Sequence, residues 1–145
     1  MNVRLSIQSI RIIPLIMSLT ELEQWELTLR KALDEVDTEL EKRFSDKISR
    51  HPCRPAAGTT SSTKSDGLFA VASAFSLGLT TGSGPGYTIS IRVSSSLPLT
   101  SEENENILAE AAELIPEALS KAFPERQFTL ERIGDNFRLS GDLSL

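Results

Sequence analysis

Residues 68–93, "LFAVASAFSLGLTTGSGPGYTISIRV", hold two alternating runs on either side of a glycine-rich stretch. In an extended chain Phe69, Val71, Phe75, Leu77 and Leu79 point one way, and Ala70, Ala72, Ala74 and Ser76 point the other. The second run repeats the scheme, with Tyr87, Ile89, Ile91 and Val93 opposed to Thr88, Ser90 and Arg92. Together they read as a β-hairpin with one bulky face and one small face. A bulky face must be covered, so the rest of the chain is expected to lay helices on that side.

Two helices are legible. From Thr20 onward, Leu22, Trp25, Leu29, Leu33, Val36, Leu40 and Phe44 recur at spacings of three and four, the stripe of an amphipathic helix. Thr20 and Glu23 have the spacing of a capping box at its start. Run to Ile48, such a helix is longer than a small domain needs. Either it breaks near Arg43, or part of its stripe, through Trp25, Leu29, Val36 and Leu40, meets a second subunit. A second capping box, Thr100 and Glu103, opens "ENILAEAAELIPEALSKAF", with Ile107, Ala111, Leu114 or Ile115, Ala118 and Ala122 at helical spacing. Pro116 is expected to kink or divide that helix.

Beyond Pro124, "FTLERI" and "FRLSGDLSL" flank Gly134, Asp135 and Asn136, residues that tolerate left-handed backbone, and predict a second hairpin. The order is α-β-β-α-β-β. The expected fold class is α+β: an antiparallel four-stranded sheet of two hairpins with the helices on one face.

The glycines admit two uses. A Walker-type phosphate loop needs a Lys and a Ser or Thr after its glycines and a helix behind them. Here a strand follows and no Lys does. In the dinucleotide fingerprint, with Gly82 and Gly84 as the first two glycines, the third position falls on Tyr87. The loop is therefore expected to turn the chain, with Gly84, Pro85 and Gly86 supplying the φ angles. The alternative is a site for a small molecule or phosphate, in a binder or an enzyme, built from the loop 82–87 and its neighbour: Gly82, Gly84, Gly86, Tyr87 and Arg92.

Composition narrows the function classes. Lys and Arg total 15 against 20 Asp and Glu, net −5, and residues 100–145 alone hold ten acids and four bases. That balance repels a phosphate backbone, so nucleic acid is not an expected partner. Cys53 and His51 are the only residues of their types, too few for a zinc site or an oriented Cys/His nucleophile, and no metal, cofactor or catalytic residue is expected. One cysteine forms no intrachain disulfide, which fits a reducing, cytoplasmic setting. Residues 1–19 resemble a targeting segment, but Arg11 and Pro14 break the apolar run that a secretory signal needs. They are also too short to span a bilayer, so no stable membrane insertion is expected. They read as a leader outside the fold, or as sequence upstream of a start at Met17, with a single domain over residues 20–145. Within it, residues 49–67, dense in Pro, Gly, Ser and Thr, are expected to form a flexible connection.

In size, acidity and element order the chain is similar to the small acidic chaperones of bacterial secretion systems, which form dimers. The expected function is a small non-catalytic interaction or scaffold domain, chaperone-like or an adaptor. It is expected to be homodimeric and to bind a protein partner.

Overall fold

The computed structural model describes residues 19–62, 65–76 and 86–141. The leader at 1–16 with Met17, and the glycines Gly82 and Gly84, lie outside the described residues. Within them the order is helix α1 (Leu19–Phe44), strands β1 (Phe69–Ser76) and β2 (Gly86–Val93), helix α2 (Ser101–Ala122), and strands β3 (Phe128–Ile133) and β4 (Asn136–Gly141). The strands form one sheet in the order β1-β2-β4-β3, with every neighbouring pair antiparallel. This is the α+β architecture that the two hairpins and two helical stripes predict.

Strand alternation sets the two faces. Phe69 pairs with Val93, Val71 with Ile91 and Phe75 with Tyr87, which puts the bulky residues of both strands on one side. Phe137 and Leu139 of β4 join that side opposite Ile89 and Tyr87 and are buried. Both helices pack here. The α1 stripe of Trp25, Leu29, Leu33, Val36, Leu40 and Phe44 is buried against β1 and α2, and Ile107, Ala111, Ile115 and Leu119 of α2 complete the core. Each fully buried aliphatic or aromatic side chain contributes about 1.5–3 kcal/mol relative to exposure, so the stripe fixes α1 in place. The opposite face carries Ala70, Ala72, Ala74, Thr88, Ser90 and Arg92, in register across the first hairpin.

Several local expectations change. The first helix is described from Leu19, and Thr20 lies within it rather than at a cap position ahead of it. It ends at Phe44, where turn hydrogen bonds from Lys47 N and Ile48 N to Phe44 O swing Ile48 back into the core. The capping box of α2 forms as expected: Glu103 N donates to Thr100 Oγ1 at 3.1 Å and Thr100 N to Glu103 Oε1 at 2.9 Å. Pro116 does not divide α2. Both Pro116 and Ala112, four residues earlier, are exposed, so the carbonyl that loses its helical donor lies on the solvent side.

The second hairpin closes through Gly134 and Asp135, between the paired Ile133 and Asn136, with Gly134 at φ +63°. Arg132 forks onto Glu105 of α2 at 2.6 and 2.9 Å and ties the hairpin to the helix. The connection at 49–67 carries specific bonds in its described part. Arg50 bridges Ser95, His51 N donates to Ser94 O at 2.7 Å, and Gly67 N donates to Pro55 O at 2.8 Å.

Candidate interaction site

Strand β1 lies at one edge of the sheet. Ser94 N donates to Leu68 O at 2.7 Å, so the even-numbered residues of this stretch bond toward β2 and the odd-numbered ones turn their backbone outward. An outward row of N–H and C=O groups is a template for another strand unless something blunts it. β1, "FAVASAFS", has no charged residue to do so.

The first half of the edge is capped by side chains from elsewhere. On the outward row Asp37 Oδ2 accepts from Val71 N at 3.3 Å, and just ahead of the strand, where the alternation has not yet begun, Glu41 Oε1 accepts from Leu68 N at 2.7 Å. Arg54 donates to Gly67 O at 2.9 Å, Asp66 O at 3.0 Å and Phe69 O at 3.4 Å. Asp66 in turn accepts from the amide and hydroxyl of Thr60, which hold its carboxyl below the usual carboxylate range. Asp37 is 5% exposed, and its burial pushes its carboxyl up to about 7. The Val71 amide works against that shift, while the charges of Glu41, Asp34 and Asp66 add to it.

The second half is different. Beyond Val71, α1 runs beside the edge and leaves a groove of about 470 Å3 lined by Glu23, Glu26, Leu27, Arg30 and Ser73. Leu27 is 47% exposed, and Phe75, two residues along the strand from Ser73, is 53% exposed. Behind the groove the wall is buried and hydrogen-bonded. Trp25 Nε1 donates to the Tyr87 hydroxyl at 2.7 Å, and that hydroxyl donates to Glu26 Oε2 at 2.6 Å. Burial first, and then the Glu26 carboxylate, raise the pKa of the Tyr87 phenol. Phe75 packs edge-on to Tyr87 with ring centroids 5.3 Å apart, and Phe123 lies 4.5 Å from Trp25.

The residues expected to form sites distribute as follows. Trp25, Leu29, Val36 and Leu40, expected at an interface, are at most 5% exposed and belong to the chain's own core. A 26-residue helix is about 39 Å long, and the core uses its stripe from Trp25 to Phe44. Gly86 is buried and its need for glycine is closeness rather than a positive φ: a Cβ there would meet Leu139 O at 2.7 Å and the Arg138 guanidinium at 3.0 Å. Tyr87 faces the helices, whereas Arg92 is exposed on the opposite face five residues along β2, about 17 Å away. The fold does not bring Tyr87 and Arg92 together. His51 Nδ1 accepts from Cys53 N at 3.1 Å, a bond within the connection.

Asp37, Glu41, Arg54 and Leu27 were not legible as site residues. The available signal was Asp37, a charge four residues after Leu33 on the apolar stripe, where only a bonded carboxyl is tolerated.

The chain belongs to a protein family described as "Uncharacterised protein", which matches residues 20–141 and so spans α1 to β4. It is similar to an "Uncharacterized protein" of Borreliella burgdorferi, 27% identical over 125 residues that make up 86% of this chain and 98% of that protein. No solved structure matches it. No described helix is long and apolar enough to cross a membrane.

Proposed function

We propose that this family member is a non-catalytic protein-interaction module that engages its partner at the corner between α1 and the second half of β1. The observation that supports it is the change along one strand: an edge closed by Glu41, Asp37 and Arg54 becomes an open, chargeless edge beside the exposed Leu27 and Phe75. Exposed apolar side chains next to strand backbone that no described residue pairs suit strand addition, in which main-chain bonds give affinity and flanking side chains give selectivity. We place the module in the cytoplasm, because Cys53 is exposed and has no partner cysteine in this sequence.

A photoreactive amino acid at position 75, compared with one at position 132 on the other edge strand, tests the site in cells of the source organism. We expect polypeptide adducts from position 75 and few from position 132. Equal yields from both, or none from position 75, would sink the proposal.

A further inference from the structure

The geometry points to a second copy of this chain as the occupant of the α1–β1 groove, across a two-fold axis that joins the two β1 edges antiparallel. This rests on the corner being an interaction site and names what fills it. The contacts between α1 and β1 run in opposite senses, since Glu41 meets Leu68, Asp37 meets Val71, and Arg30 and Glu26 share the groove with Ser73. A two-fold axis perpendicular to the strand therefore turns both elements onto their own copies at once.

The outer charges of the α1 groove face are complementary under that operation, while Glu26, next to the axis, is turned onto the Tyr87 hydroxyl of its own chain. The face reads Glu23, Glu26, Leu27, Arg30, and a two-fold midway between Glu26 and Leu27 sets Glu23 opposite the partner's Arg30 and Arg30 opposite the partner's Glu23. The strand obeys the same axis. Ser73 and Phe75 both turn their backbone outward, so a centre at Ala74 pairs Ser73 with the partner's Phe75 through edge amides and carbonyls. Each chain carries net −5, and β1 is a place where two copies can approach with no charge on the facing strands. The exposed Leu27 lies next to the axis and is covered by the partner helix.

Light scattering and sedimentation of the full chain over micromolar to millimolar concentration test this. Unaltered protein is expected to move from its 15.9 kDa chain mass toward twice that value. Glu23→Arg and Arg30→Glu, each at the groove mouth, are expected to raise the dissociation constant more than about tenfold by setting like charges opposite each other, with unchanged circular dichroism. The double variant E23R/R30E restores the dimer. An equimolar mixture of the two single variants forms a one-to-one pair, because each mixed contact is then attractive. Monomeric unaltered protein at every concentration overturns the inference, as does a dimer indifferent to the reversals or one that the double variant fails to restore. The wider reading fails separately: adducts from position 75 to a different polypeptide would keep the corner as a site while removing the second copy from it.

Discussion

The outer edge of β1 behaves as two regions. Leu68 to Val71 and Ser73 to Phe75 belong to the same stretch and lack charge alike. Yet the first is bonded by Glu41, Asp37 and Arg54, while the second borders an open groove. The difference lies in what reaches the edge. The C-terminal half of α1 and the connection after it carry acceptors and a guanidinium to the first region, and the N-terminal half of α1 shares a groove with the second. Edge protection in this fold is thus supplied side chain by side chain across long sequence separations. The other edge strand, β3, carries its own charges in Glu131 and Arg132.

Asp37 offers the largest way to break the contrast. Its folded pKa of about 7 lies above the ordinary 3.8, so between those values the folded state holds a proton that the unfolded chain has released. The contribution of this group is therefore fully present below about pH 4, falls by about 1.4 kcal/mol per pH unit up to pH 7, and is level above it. Asp37→Asn keeps a carbonyl to accept from Val71 N and removes the titration. Urea unfolding at pH 4, 5, 6, 7 and 8 should show the variant gaining on the unaltered protein to about 4 kcal/mol at pH 8. A constant difference across that range would mean that the carboxyl is hydrated and the first region is as open as the second.

Arg54→Ala probes the same region from the connection. Three carbonyls lose a charged donor, and a cost of about 2 kcal/mol is expected, with faster hydrogen exchange at the Val71 amide. Arg54→Lys should recover only part of this, because an ammonium cannot span three acceptors as a planar fork does. Unchanged exchange at Val71 would show that Asp37 alone closes the edge.

What the sequence disclosed divides along the same line of sequence distance. The alternation of residues 69–75 and 87–93 set the faces and pairing of the first hairpin because strand period and side-chain polarity are local properties. Thr100 and Glu103 announced their cap for the same reason, being three residues apart. The α1 stripe was equally visible, but its destination was not: Trp25, Leu29, Val36 and Leu40 look identical whether they cover a sheet of their own chain or a neighbour's. The capped edge depends on Glu41 meeting Leu68 and Asp37 meeting Val71, at separations of 27 and 34 residues that no local pattern encodes. Leu27, off the stripe, reads from sequence as an isolated surface leucine. Only the placement of Ser73 and Phe75 beside it gives it company.

The smallest effect is expected where the edge is open. Ser73 is half-buried at the groove, and a lysine there can lay its stem along Leu27 and keep its ammonium in water. Ser73→Lys should change stability by less than about 0.5 kcal/mol, the range of surface substitutions, which for a domain of this size shifts the melting temperature by about 2 °C or less. The same substitution places a charge on an edge whose pairing would bury it, the device by which natural edge strands avoid one another. Self-association should therefore be lost while the fold is kept, as read by light scattering beside a thermal melt. In the capped region the corresponding change, Val71→Lys, would instead put a charge among the buried residues of β1 and unfold the domain. If Ser73→Lys unfolded the domain as Val71→Lys does, the two regions would be one buried edge.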